Sequence, residues 1–133
     1  MVWVWRILGA IVVSFLALFV AQIVASESGE VVVLHHVNDA GEEAQTRLWV
    51  VDQDGVQWLR TGSELAGWYK DLLARPEVKV VRGETTTVVT ARPNPAQRDA
   101  INDLMAAKYG WADQLIDVLY GREDAIPIEL VVP

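Results

Sequence analysis

The sequence has 133 residues and no cysteine, and its first 25 residues contain a single charged side chain, Arg6. The lack of cysteine excludes disulfides, thiolate nucleophiles, iron–sulfur clusters and thiolate zinc sites. The sequence also lacks the His-Glu-x-x-His and Gly-x-Ser-x-Gly motifs and the glycine-rich loops that bind phosphates. These absences exclude several large classes of enzyme, and the length allows one domain rather than two.

Basic residues are scarce relative to acidic ones in the rest of the chain. From Ser26 onward there are 18 acidic and 10 basic residues, a formal charge of -8. Such a surface repels phosphate backbones, so we predict no nucleic-acid partner. It also repels anionic lipids, so any membrane attachment must come from the N-terminal segment.

Histidine is scarce too, with His35 and His36 the two in the sequence. Adjacent residues of a strand point to opposite faces of a sheet, so these two cannot readily chelate one ion. We predict structural roles for them and no metal site, although one of the two could still line a pocket.

Residues 7–25 are uncharged and almost entirely apolar, which predicts a transmembrane helix of roughly 28 Å. Trp3 and Trp5 lie just outside this run, where indole rings favour the membrane interface. We therefore divide the chain into a membrane anchor, residues 1–26, and a globular domain, residues 27–133. A signal peptide cleaved near Ala25 is the alternative.

The charges beside the apolar run indicate an orientation. Arg6 precedes the run, whereas Glu27 and Glu30 follow it. The positive-inside rule then predicts a single-pass protein of the plasma (inner) membrane, with a cytoplasmic N-terminus and a periplasmic or other extracytoplasmic domain.

The domain alternates β-branched runs with helical patterns, which predicts an α+β fold. Short turns between consecutive strands, such as the one at Asp54-Gly55, predict an antiparallel sheet, and six strands suggest a small barrel with helices closing its gaps. We predict a first helix that is capped by Ser63 and carries an apolar face (Leu65, Trp68, Tyr69, Leu72, Leu73). We predict further helices from Asn94 to Gly110 and over residues 111–120, the latter with an apolar face of Trp111, Leu115, Ile116 and Leu119. The six predicted strands are residues 30–37, 46–52, 56–61, 77–82, 85–92 and 126–132; Pro127 makes the last an edge strand or lies at its start.

Two groups of residues are candidates for binding. Arginines, hydroxyls and a glycine at a strand-to-helix junction favour an anion such as phosphate; ordinary surface strands and a helix cap are the alternative. Tyr109 and Trp111 flank a predicted helix break at Gly110, where they could contact a flat ligand or simply pack the corner. The anion-site candidates are Arg47, Trp49, Arg60, Thr61, Gly62 and Ser63.

Three stretches of the sequence carry a resemblance to a known superfamily. Residues 68–80 (WYKDLLARPEVKV) look like the pattern Trp-x-x-Asn-Leu-x-Ala-x-Pro-x-Val-x-Val, with Asp71 in place of the asparagine. Residues 126–130 (IPIEL) look like a closing Ile-Pro-Val strand, and residues 47–61 are similar to a central hairpin. Together they resemble the flavin and deazaflavin split-barrel oxidoreductases, which include pyridoxamine-phosphate-oxidase-like proteins and deazaflavin-dependent nitroreductases. The pattern is most similar to small membrane-anchored members described as nitroreductase/quinone-reductase-like.

The resemblance implies a six-stranded antiparallel split barrel, a homodimer, and FMN or a deazaflavin of the F420 type as cofactor. It assigns cofactor binding to the six anion-site candidates and to Trp68, and contact with a small planar acceptor to Tyr109 and Trp111. Two departures leave the cofactor open. Trp68 replaces a lysine of flavin-binding relatives, and the loop of deazaflavin binders is reduced to Gly62-Ser63. The sequence thus leaves two functions open: reduction of a quinone or nitroaromatic acceptor, or a binding or structural module without a cofactor.

Overall fold

A computed structural model describes residues 1–27 and 29–133, without the side chains of residues 22–27. The described residues form four helices, seven strands and one turn of 3-10 helix at Pro95–Gln97. The helices are α1 (Val2–Glu27), α2 (Gly67–Ala74), α3 (Arg98–Tyr109) and α4 (Trp111–Tyr120). The strands are β1 (Val31–Val37), β2 (Glu43–Trp49), β3 (Val51–Gln53), β4 (Val56–Thr61), β5 (Glu77–Arg82), β6 (Thr85–Pro93) and β7 (Ile126–Val131).

Helix α1 contains a segment, Val2–Ala21, that is long and apolar enough to cross a membrane, and its side chains are not buried in the protein. Twenty residues of α-helix span about 30 Å, the thickness of a hydrocarbon core. Length and composition thus agree with the predicted span, and the helix extends beyond it to Glu27.

The strands form one antiparallel sheet in the order β2-β1-β5-β6-β7-β4-β3. The prediction of six strands is wrong by one, because the predicted second strand is divided at Val50 into β2 and β3. These two halves lie at opposite edges of the sheet, so one bent stretch of chain joins both edges and curls the sheet into a half-barrel. The turn at Asp54 and Gly55 has positive φ at both residues, as the predicted hairpin requires.

Two apolar clusters form the core. The larger fills the concave side of the sheet and includes Tyr69 and Leu72 of α2. The smaller packs the outer side of β3 and β4 against Ile101 and Met105 of α3. Neighbouring residues of β4 point to opposite faces of the sheet and belong to different clusters, Leu59 to the first and Trp58 to the second.

Two predictions need correction. Helix α2 begins at Gly67 rather than at Ser63, whose hydroxyl accepts the Leu65 N–H in a local turn. Two residues of its predicted apolar face are exposed, Leu65 before the helix and Leu73 within it. Of the two alternatives for β7, the edge strand is wrong, because β7 lies between β6 and β4; the other holds, because Pro127 is the second residue of the strand.

Helix α4 begins and ends where the sequence predicts, but its predicted apolar face is only partly buried, with Leu115 and Ile116 half-buried. Trp111 is 56% exposed and Leu119 38%, whereas the buried residues of the helix are Ala112 and Asp113. The helix therefore presents apolar side chains outward and an acidic one inward.

Candidate functional site

A groove of about 270 Å³ lies between the outer side of β2 and β4 and the helices α3 and α4. Arg47 and Trp49 of β2 and Arg60 of β4 line it, followed by Gly62. Four of the residues predicted to bind a cofactor are thus brought together, and the two arginines face the same groove. The remaining lining residues are Leu48, Met105, Asp113, Ile116, Asp117, Tyr120, Gly121, Arg122 and Ala125.

The aromatic wall of the groove, Trp49, is supported by Tyr109. The rings of Trp49 and Tyr109 stack with centroids 4.2 Å apart and planes 8° from parallel. The Tyr109 hydroxyl accepts a hydrogen bond from the Val50 N–H (3.0 Å) and donates one to the Glu30 carbonyl oxygen (2.6 Å). Burial raises the pKa of this hydroxyl, which favours its protonated, donating form. Tyr109 therefore holds Trp49 in place from behind.

Arg60 does not present a free cation to the groove. Its Nη2 donates to Oδ1 of Asp113 (2.8 Å), and its Nη1 donates to Oδ1 of Asn102 (3.1 Å). The side chain of Arg60 is 9% exposed and that of Asp113 is 1% exposed. A buried carboxylate thus neutralises the guanidinium that the sequence indicated for an anion.

A second arginine completes this charged cluster. Nη1 of Arg122 lies 3.1 Å from Oδ2 of Asp113, and its Nη2 donates to Asp117 at 3.1 Å. The bond with Asp117 raises the pKa of Arg122. The contact with Asp113 has the distance of an ion pair but not the geometry of a hydrogen bond, so Oδ2 of Asp113 is buried without a donor in the described structure.

The other predicted site residues lie outside the groove lining. Thr61 is buried, and its hydroxyl donates to the carbonyl oxygen of Ser63 (2.8 Å). Trp68 packs against the larger apolar cluster. Tyr109 supports the groove from behind Trp49, and Trp111 is exposed on α4.

Three residues of the charged cluster were not predicted from the sequence: Asp113, Asn102 and Arg122. Asp113 stands in the first turn of a helix, where an acidic residue is ordinarily explained by the helix dipole. A helical projection does place Asp113 opposite Trp111 and Leu115, and this position was the sign in the sequence that could have identified it. Asn102 and Arg122 gave no comparable sign, because their partners are distant in sequence.

The two histidines point in opposite directions, as predicted. His36 is buried; its Nδ1 lies 2.7 Å from Oδ2 of Asp71 and its Nε2 lies 2.8 Å from Oγ1 of Thr46. His35 faces outward, 2.7 Å from Glu43, and the pKa of that carboxyl is lowered by the contact. His36 therefore joins α2 to β1 and β2. Within the described residues, no group of three histidine or acidic side chains is arranged to hold a metal ion.

Glu30 is the centre of a second ionic cluster, close to the end of α1. Its carboxylate accepts hydrogen bonds from Arg82 (2.9 and 3.0 Å) and from Lys108 (2.8 Å). These cations, Arg82 first, lower the pKa of Glu30 from 4.5 to about 2. Arg82 also binds Asp52, whose pKa it lowers, so the cluster fastens the start of β1 to β3, β5 and α3.

The fold has counterparts among solved structures. A conserved hypothetical protein from Mycobacterium tuberculosis superposes with a TM-score of 0.61 at 17% identity, over 85% of this chain and 78% of that one. An F420-H2-dependent reductase gives a TM-score of 0.56 at 18% identity, over 75% and 92%. A protein from Listeria innocua described as a candidate pyridoxamine 5′-phosphate oxidase gives 0.57 at 12% identity, over 82% and 88%. No known family profile and no curated protein sequence matches the chain.

These neighbours define the class: the chain has the split-barrel fold seen in deazaflavin-dependent reductases and pyridoxamine-phosphate-oxidase-like proteins. The resemblance found in the sequence is thus confirmed for the fold. At these identities the likeness says nothing further about activity.

The groove fits the ring system of a flavin-type cofactor better than it fits the phosphate tail. Its volume is close to the lower end of the roughly 300–1,000 Å³ typical of ligand sites, and Leu48, Trp49 and Ile116 give it apolar walls. A flat ring system suits such walls, and the buried acceptor Oδ2 of Asp113 would suit a ring N–H. The phosphate tail fits less well at Arg60, because Asp113 and Asn102 already occupy its donors. The side chain of Arg47, the other arginine that the sequence indicated, is exposed at the groove.

Proposed function

We propose that this protein is a membrane-anchored oxidoreductase that binds a flavin or deazaflavin ring in the groove and reduces a planar quinone or nitroaromatic acceptor. The observation that carries the proposal is the convergence of Arg47, Trp49, Arg60 and Gly62 on one apolar groove of a split barrel. The sequence alone indicates the same four residues as an anion-site set.

The residues of the chain have defined tasks in this proposal. A flavin or deazaflavin supplies hydride transfer when bound, and the protein positions it and excludes water. Trp49, fixed by Tyr109, offers one flat wall, and Ile116 of α4 offers an apolar one. Arg47 pairs with the anionic tail, and Asp113 accepts a hydrogen bond from the ring. The exposed Trp111 contacts the acceptor only if a bound molecule extends beyond the groove.

The membrane anchor, the homodimer and the topology belong to the same proposal. The helix Val2–Ala21 supports a span, with residues 1–26 proposed as the anchor. The proposal of residues 27–133 as an extracytoplasmic domain rests on the positive charge of Arg6 before the span. A quinone dissolved in the bilayer is a suitable acceptor for such a protein. The homodimer rests on the resemblance to split-barrel proteins.

A module without a cofactor is the second candidate. Two observations favour it: Arg60 is neutralised by Asp113, and Trp68, at the position where relatives carry a lysine, packs against the core. Both reduce the positive charge available for a phosphate.

Titration of the full chain in nanodiscs with FMN and with F420, followed by quenching of cofactor fluorescence, separates these candidates. We expect one cofactor to saturate the protein and Arg47→Ala to weaken binding by about tenfold or more, since a charge-assisted hydrogen bond contributes about 1.5–3 kcal/mol. Arg75→Ala is the matched control, because Arg75 pairs only with the exposed Asp39 in the described structure. Absence of binding by a folded, nanodisc-inserted protein would contradict the oxidoreductase and leave the module.

A further inference from the structure

The outward face of α4 is apolar and carries no charge. A helical projection places Trp111, Leu115, Val118 and Leu119 on one side, with Gln114 at its border. Trp111 is 56% exposed and Val118 is 82% exposed. A helix on the surface of a soluble domain ordinarily shows the reverse arrangement, with its polar face outward.

The charges of α4 lie off this face and are already paired: Asp113 is buried, and Asp117 is partly exposed to one side of the face. Asp113 is bound to Arg60, and Asp117 is bound to Arg122. Covering the outer face would therefore remove no charged group of α4 from water. The desolvation cost of covering this face is therefore small, and the apolar area of the face is available for burial.

The contact between α1 and α4 lies at a depth within the proposed span that fits a membrane interface. Leu119 and Tyr120 of α4, together with Phe15 and Phe19 of α1, line a cleft of about 550 Å³. The α1 residues of this cleft extend from Val12 to Phe19, which at 1.5 Å per residue lie roughly 3–14 Å inside the end of the apolar segment at Ala21. Interfacial helices bury their apolar faces to a similar depth of about 5–10 Å.

We infer that α4 is a second membrane contact, an interfacial helix whose Trp111–Leu119 face inserts at the boundary of headgroups and acyl chains. The inference rests on the proposed membrane anchor. Leu119 of this α4 face also lines the cleft with the exposed apolar residues of α1, which argues for lipid rather than a protein partner. Tyr120 lines both the α1–α4 cleft and the candidate groove, so the two cavities share this side chain as a wall and the proposed membrane contact would lie next to the groove.

The absence of cysteine allows a direct test with single-cysteine variants labelled with an environment-sensitive fluorophore. Val118→Cys reports the α4 face, and Ser14→Cys, within α1, reports the span. Ala40→Cys is the aqueous control, since it lies at the β1–β2 turn, about 20 Å along β1 from the end joined to α1. The full chain is reconstituted in phosphatidylcholine vesicles with nitroxides at a shallow or a deep acyl position.

The expected result is a shift of emission to shorter wavelength and strong quenching by shallow nitroxides for Val118→Cys, quenching by deep nitroxides for Ser14→Cys, and neither for Ala40→Cys. A water-like, unquenched Val118 label beside a quenched Ser14 label would overturn the inference and leave the anchor intact. An unquenched Ser14 label would refute the anchor itself. A shifted but unquenched Val118 label whose signal depends on protein density would show that a second copy covers this face, which also overturns the inference.

Discussion

The buried carboxylate of Asp113 allows the sharpest prediction about stability. Asp113→Asn preserves the shape of the side chain but leaves the guanidinium of Arg60, 9% exposed, without its counter-charge. Breaking a buried ion pair from one side costs about 3–5 kcal/mol. We expect about 3 kcal/mol, at the low end, because Asn102 still accepts a hydrogen bond from Arg60 and the half-exposed Arg122 can turn to solvent.

Urea unfolding of the full chain in detergent, followed by tryptophan fluorescence, measures this loss. With an m-value of about 2 kcal/mol/M, the midpoint should fall by about 1.5 M. Asp117→Asn is the matched control on the same helix, and it should cost less than about 1 kcal/mol because that carboxylate is 39% exposed. The double change Arg60→Met with Asp113→Leu should recover most of the loss. A cost for Asp113→Asn no larger than that of the control would refute the reasoning.

Three further predictions concern groups that fasten the domain together. Glu30→Gln should lower the free energy of unfolding by about 1 kcal/mol near pH 7. The expected loss is this small because the carboxylate is 39% exposed and solvent screens its ion pairs. Since folding lowers its pKa from 4.5 to about 2, the wild-type advantage is present above pH 4.5 and is lost as the pH falls toward 2; unfolding curves of both proteins across this range test it. Tyr109→Phe removes the buried acceptor of the Val50 N–H and should cost about 1–3 kcal/mol in urea unfolding; a smaller loss than Trp49→Phe would contradict this. Thr46→Val leaves Nε2 of the buried His36 unpaired and should lower the melting temperature, whereas an unchanged value would mean that water replaces the hydroxyl.

Much of the fold could be predicted because its signals are local. Strand β1 and helices α3 and α4 follow from runs of apolar residues and from glycine and proline at their ends, which act within a few residues. The bend at Val50 could not be predicted, because residues 48–51 form one continuous apolar run and only closure of the sheet divides it. The predicted start of α2 was wrong because the Ser63 hydroxyl does accept a nearby backbone N–H, that of Leu65, but this bond closes a local turn and the helix begins only at Gly67.

The candidate site was predictable in position but not in electrostatics. Alternation along a strand placed Arg47 and Trp49 on one face, and the structure brings Arg60 to the same groove. The neutralisation of Arg60 depends on Asp113, 53 residues away, and no local pattern reports a pairing at that separation. The charge counted from the sequence therefore overestimated the positive charge that the groove offers to an anion.

In the proposed membrane-anchored protein, the ionic cluster at Glu30 limits how far the domain can move from the bilayer. Helix α1 ends at Glu27, and Glu30 is held by Arg82 and Lys108, so the three-residue spacing from Glu27 to Glu30 is at most about 11 Å. A domain held so close to a bilayer would meet other molecules mainly by lateral diffusion within the membrane plane, so its surface density rather than its bulk concentration would set the rate.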